Sequence, residues 1–436
     1  MRSAMFGIAI GRDRTMIYRL PASLSTIENL AAAVQMSARS DDEGVLRPFD
    51  VAASERLFRS VAGPAAAMVA GATRLIYNPA GPLRQLPASI FVTDRGSVDA
   101  YAQQQFKADY SRVQFLGRKV ETSTALSPRA FLRGRKELAP STAPRPFLGL
   151  GENAPPQPAS ATTASRAMPF DCSVSYGLWA DTLARRKPIS ADEIGIAANA
   201  LGVADSRIVG PRFSDANLAH GDAADDLAQY QVLHFATHGI PEMPVNVDQC
   251  TMHLPPALIT TLTAPPSDAP IVSDGLLSFD EVARLRLNAN LVVLSACDTF
   301  AGASTALARR RGIEESTPAL DGLVRSFIVA NARMVLATFW RVPAHSKTDE
   351  LLAAFYRAGR TDSVAASLKT AQNHLMDQPR YSHPYYWGAY FLVGDGSKAM
   401  LSPTRTAAAA TEPGRQGSRV LADAAAAMGG ASPARP

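Results

Sequence analysis

Cysteine is scarce, with only Cys172, Cys250 and Cys297 in 436 residues. An odd number at unrelated spacings is not a disulfide framework, and it fits a reducing compartment, so a cytoplasmic location is expected. No apolar run reaches 18 residues, so no membrane span is expected and the membrane is not an expected partner. The opening MRSAMFGIAIGRDR lacks the long apolar segment and small-residue cleavage site of a signal peptide. A basic stripe interleaved with aromatics is also missing. The net charge of +5 is mild, and part of it sits in Arg309–Arg311 and the sparse arginines after Thr404. Direct nucleic-acid binding is therefore not expected. No repeat of 30–50 residues recurs, which excludes a solenoid within this chain. His234, His238, Cys250 and His253 invite a metal reading. On an intact strand, however, residues four apart lie about 13 Å from each other, too far for His234 and His238 to share one zinc. No metal and no cofactor is expected.

What is present is enough apolar material for a sizeable core: 47% hydrophobic against 19% charged residues. The length suggests one large domain or two modest ones. Apolar, β-rich runs at Ala4–Ile10, Met16–Leu20, Leu75–Tyr77, Ile90–Thr93, Phe147–Gly149, Val232–Thr237, Leu291–Ala296, Met334–Phe339 and Tyr386–Val393 read as strands. Four of the later runs are continuously hydrophobic, the mark of strands buried on both faces in a parallel sheet. Helical periodicity marks Thr26–Ala38, Val51–Val61, Ala191–Leu201, Phe279–Leu285, Ala319–Ala330, Thr348–Ala358 and Asp362–Met376, with Ser278 and Glu281 as a capping box. The alternation predicts an α/β fold with a mainly parallel sheet flanked by helices. Residues 1–140 read as an N-terminal lobe, 141–168 as a linker-like segment rich in Ala, Pro and Ser, and 169–397 as a second lobe. Leu254–Pro270, with five prolines, reads as a surface loop. The composition of 398–436 predicts a disordered, dispensable tail.

Two strand ends carry chemistry. Val232–Gly239 runs as a buried strand into His238 followed at once by glycine. Leu291–Thr299 runs as a similar strand into Cys297. In a parallel sheet the carboxyl ends of the strands form one rim, where ligands bind, so both side chains are expected at one edge. A free thiol has a pKa near 8.5 and needs a base to become a nucleophile at neutral pH. His238 supplies that base, and the N–H groups of Gly239 and Cys297 are candidate donors to a developing oxyanion. Asp298 and Asp274 are acids that could line a pocket for a basic side chain, although solvated loop carboxylates are the commoner outcome. A lone cysteine at a strand end is usually a small core residue; the pairing with His238 favours catalysis. His234 reads as a support residue beneath His238.

HFATHG (His234–Gly239) and VVLSACDT (Val292–Thr299) resemble the two signature segments of the CHAT domain family, caspase-like modules often found beside tetratricopeptide repeats. The resemblance continues through Asp274–Thr299, Ala319–Trp340, His383–Asp395 and, upstream, Leu75–Val92, covering roughly Val51 to Asp395. It implies a caspase-type fold related to gingipains, metacaspases and separase. It also implies a His–Cys dyad at His238 and Cys297, an oxyanion hole at Gly239 and Cys297, and a degenerate caspase-like N-terminal lobe. The chain departs from the family at Ala330-Asn331-Ala332, where Ala-Gly-Ala is usual, and after Trp340, where Arg341-Val342-Pro343-Ala344 replaces a valine and acids.

The leading expectation is a regulated cysteine endopeptidase that cleaves a specific protein, with a regulatory protein as a further partner. The alternative is a catalytically silent CHAT module acting as a regulatory or scaffold protein. A third reading is a hydrolase or acyl transferase working on small thioesters or amides. Between Thr299 and Ala319, Arg309–Arg311 followed by Glu314 and Glu315 suggests either a solvated loop or a latch that trypsin would nick first.

Overall fold

The computed structural model describes residues 5–41, 44–156, 160–170, 174–240, 243–247, 250–264, 271–295, 319–340, 342 and 346–402. Residues 299–318, expected as a loop, and the expected tail from 403 lie outside these. Residues 1–402 cluster as one compact unit.

Two strands, β1 (Phe6–Ile10) and β2 (Thr15–Arg19), pair as an antiparallel hairpin. An eight-stranded sheet follows, built from β3 (Arg74–Tyr77), β4 (Glu121–Thr124), β5 (Arg145–Gly151), β6 (Arg207–Val209), β7 (Tyr230–Ala236), β13 (Leu291–Ser295), β14 (Met334–Thr338) and β15 (Tyr390–Gly394). Between β7 and β13 lie β8 (Gly239–Ile240), β11 (Ala257–Ile259) and β12 (Leu276–Ser278), which form a small antiparallel sheet, and the hairpin of β9 (Met243–Val247) with β10 (Cys250–Leu254). The large sheet has the order β3-β4-β15-β14-β13-β7-β5-β6. Five strands, β6, β5, β7, β13 and β14, run parallel, and the direction reverses once, between β14 and β15. This is the mainly parallel α/β architecture expected from the continuous apolar runs.

Helices cover both faces. His234 and Phe235 are successive residues of β7 and so point to opposite sides. His234 meets Glu193 and Tyr356, from the helices Asp192–Leu201 and Ser346–Ala358, whereas Phe235 packs on Phe327 of the helix Ala319–Val329. The β7, β13 and β14 segments are buried at every position, as central strands covered on both sides must be. A second apolar cluster, with Tyr176, Trp179, Ile240, Ile259 and Leu276, packs on the small sheet. The Ser278 capping box forms as expected.

Several expectations differ from the fold. The linker-like stretch 141–168 contains β5, a strand between β7 and β6 buried over its last five residues. β5 extends the strand expected at Phe147–Gly149 by two residues at each end, with Pro146 inside it. Leu254–Pro270 is not wholly surface loop, because Ala257, Leu258 and Ile259 form buried β11. Ile90–Thr93 is not a strand: Ala88–Ile90 is a 3₁₀ turn and Val92 makes a single bridge to Phe115. The strand expected from Tyr386 starts at Tyr390, because Pro384–Trp387 is a helical turn capped by His383.

Candidate active site

β7 ends at Ala236, and the next three residues carry the chain from the large sheet into the small one. The buried Thr237 hydroxyl donates to the Ile259 carbonyl at 2.6 Å, and the Ile259 N–H donates to the His238 carbonyl at 2.8 Å. These bonds fix the backbone on both sides of His238. Its ring Nε2 lies 2.8 Å from the Lys187 carbonyl oxygen. A carbonyl only accepts, so Nε2 carries a proton, and in the neutral ring Nδ1 is the nitrogen with the lone pair. The main chain at Lys187 therefore sets the base tautomer.

Gly239 opens β8 and is buried opposite Leu258 of β11. The neighbouring His238–Ile259 pair is the hydrogen-bonded one, so by antiparallel alternation the Gly239 N–H lies outside this ladder. Among the described residues β8 is the edge of its sheet.

β13 runs parallel to β7 with Ser295 opposite Ala236. Cys297 follows Ser295 by two residues, as His238 follows Ala236. Cys297 and Asp298 lie outside the described residues.

Beneath the site, His234 is fully buried, with Nδ1 2.7 Å from the Tyr356 hydroxyl and Nε2 2.7 Å from a Glu193 carboxylate oxygen. Glu193 accepts from Nε2–H, and the Tyr356 hydroxyl, pushed well above its usual pKa by burial, donates to Nδ1. The ring stacks on Tyr356 and meets Phe147 edge-on. Both nitrogens are engaged, which leaves no lone pair for a metal. Among the described residues no group of three or more His, Cys, Asp or Glu side chains is placed to hold a metal ion. Glu193 and Tyr356 carried no sequence signal, since each sits in an ordinary amphipathic helix. His234→Ala is expected to lower stability by about 3 kcal/mol, because it opens a cavity and strands the buried Tyr356 hydroxyl and the half-buried Glu193 carboxylate. A thermal midpoint within a degree of wild type would contradict this.

Asp274 precedes β12. Thr260 N–H donates to the Gly275 carbonyl while its neighbour Ile259 bonds His238, so Asp274 and His238 flank the same end of β11. The Asp274 carboxylate accepts from Leu276 N–H at 2.9 Å, its own N–H donates to Asp215 at 3.1 Å, and its carbonyl accepts from the Trp179 indole at 2.7 Å. Asp215 is buried and accepts from Ser273 at 2.6 Å and Thr260 at 3.2 Å. Burial first, then the charge of Asp215, pushes the Asp274 carboxyl up to about 7. A carboxyl whose folded-state pKa is raised contributes stability that is full below its unfolded value near 3.8 and is lost as pH rises through about 7. Asp274→Asn keeps the acceptor to Leu276 and removes the charge. It is expected to raise stability by about 2 kcal/mol at pH 8 and to change little at pH 4. Denaturant titrations at the two pH values check this.

The CHAT domain model matches residues 51–395. The chain belongs to the CHAT domain family. The chain is similar to tetratricopeptide repeat protein 28 of Mus musculus, 32% identical over 142 residues, and to the Homo sapiens protein of that name, 28% identical over 139. Each match covers 32% of this chain and only 5% of the relative's length. Among solved structures, the Arg-specific cysteine proteinase gingipain R aligns over 86% of this chain and 74% of its own, with a TM-score of 0.37 and 10% identity. The complex of Porphyromonas gingivalis RgpB pro- and mature domains aligns over 87% and 78%, with a TM-score of 0.37 and 9% identity. Among the described residues of the CHAT domain and its flanks, no helix is long and apolar enough to cross a membrane.

Proposed function

We propose that this CHAT domain is a cysteine endopeptidase in which His238 activates Cys297. The observation that carries the reading is the Nε2–H bond of His238 to the Lys187 carbonyl, which leaves Nδ1 as a lone-pair base at the carboxyl end of β7. The parallel β7–β13 register supports the pairing, since both residues stand two positions past partnered residues. In this reading Nδ1 takes the thiol proton, the thiolate attacks a peptide carbonyl, and the N–H groups of Gly239 and Cys297 receive the oxyanion. The imidazolium then gives its proton to the leaving amine, and water hydrolyses the thioester. Asp274, at the same end of β11, and Asp298 are the acids for a pocket that takes a basic side chain. The substrate is a protein, and a regulatory partner completes the site.

The names of the curated relatives favour a second reading, a CHAT module that works by protein contacts without turnover. A thiol-reactive peptide probe separates the two. Labelling of wild type that is absent in Cys297→Ala supports the peptidase. A wild-type Cys297 that stays unlabelled by the probe while alkylating freely in denaturant supports the silent module.

A further inference from the structure

The β1–β2 hairpin lies outside the family match, and the peptidase reading makes no use of it. Its inner face is tied down: the Tyr18 hydroxyl donates to the Val61 carbonyl at 3.0 Å, and Gly7 is kept small because a Cβ there would collide with the Tyr18 ring. The outer face is apolar and open. Phe6, Ile8, Ile10 and Ile17 are 63, 66, 78 and 72% exposed, against a core whose large side chains are almost wholly covered. Four clustered large apolar groups on one short hairpin are not the scattered singles of an ordinary surface.

The backbone edge is open as well. Leu20 N–H bonds Met5 O and Gly11 N–H bonds Arg14 O, so the alternation of the ladder turns Gly7 and Ala9 toward β2. The N–H and C=O groups of Phe6, Ile8 and Ile10 therefore point away from β2, and β1 has no second neighbour among the described residues. Edge strands are commonly protected by charge or proline. β2 ends on Arg19, but FGIAI has neither.

We propose that this hairpin is a self-association surface on which a second copy of the chain adds its own β1 antiparallel to the first. The strand is self-complementary about Ile8. A two-fold axis there places Ile8 opposite its symmetry mate and Phe6 opposite Ile10. All three outward-facing residues of each copy then enter hydrogen-bonded pairs, with apolar side chains on one face. The product is a four-stranded sheet of order β2-β1-β1-β2, which lifts a two-stranded ribbon past the size at which such sheets are marginal.

Sedimentation velocity between about 1 and 100 µM should show a monomer–dimer equilibrium, and Ile8→Lys should weaken it at least tenfold, to about that limit or beyond. Its thermal midpoint as a monomer should stay that of wild type, because the side chain faces solvent. In a background with the three native cysteines replaced by serine, Ile8→Cys should form a covalent dimer on mild oxidation. Hydrogen-bonded partners sit about 5.5 Å apart at Cα, within disulfide range. Ile17→Cys should not, because three strand spacings of about 4.8 Å separate it from its mate. A wild type that stays monomeric at 100 µM, with or without a foreign protein bound to the hairpin, overturns the proposal. So does a dimer that Ile8→Lys leaves unchanged.

Discussion

Cys297→Ala should abolish active-site probe labelling and any proteolysis, and His238→Ala should lower kcat/KM by about a thousandfold while leaving the fold intact. The size of the second effect follows from the chemistry: without a base at this position the thiol is largely protonated at neutral pH. The fold is spared because, among the described residues, the ring's hydrogen bond is to a main-chain carbonyl on the partly exposed rim. Lys187→Ala provides the discriminating control. The carbonyl, not the lysine side chain, holds Nε2, so this variant should keep most of its activity. If Cys297→Ala still labels and Cys250→Ala does not, the assignment of the nucleophile is wrong.

Stability should look nearly flat between pH 4 and 6.5, and this flatness should break into two opposed slopes when single residues are changed. His383 supplies one slope. It is buried, its Nε2–H donates to the Arg47 carbonyl at 2.9 Å, and its Nδ1 accepts from Tyr385 N–H at 3.0 Å. Both nitrogens are satisfied only in the neutral form, and burial lowers its pKa to about 4. A histidine depressed from 6.5 to about 4 contributes stability that is full above 6.5 and is lost as pH falls through 4, about 3 kcal/mol in all. Asp274, with Asp215 raised in the same sense by burial, supplies the opposite slope. Asp274→Asn should therefore expose the acid loss from His383, and His383→Gln should expose the gain on acidification from the carboxylates. Chemical denaturation of the three proteins at half-unit pH steps tests this. An Asp274→Asn profile as flat as wild type would rule out the compensation.

What could be read from the sequence follows from where each signal resides. β7, β13 and β14 announce themselves because strands covered on both faces must be apolar at every position. His238-Gly239 stands out as the polar end of such a run. β4 escapes notice because Glu121-Thr122-Ser123-Thr124 is polar throughout, its Glu121 held by Arg74 on the neighbouring strand. β11 is three residues long and hidden among prolines. The partner that sets the His238 tautomer is a backbone carbonyl, which no side-chain pattern can advertise. Glu193 reaches His234 only because its helix packs against β5 at Gly149, where a Cβ would strike Ile194. That contact belongs to the tertiary fold and not to any local window.

The position of β15 has a consequence for how the molecule is made. β3 and β4 belong to the first third of the chain, yet among the described residues they join the large sheet only through β15, which begins at Tyr390. During synthesis the β3–β4 pair must wait, with no sheet partner, while more than 260 residues emerge, 390 less 124. Parallel pairing across such separations is slow, and it leaves edges exposed in the interval. A ribosome that stalls, or a nonsense codon, between Thr338 and Tyr390 therefore releases a chain that can assemble its β5–β14 strands but leaves β3 and β4 undocked. Such a product is a natural client for chaperones and proteases, and β15 is the strand whose arrival closes the large sheet.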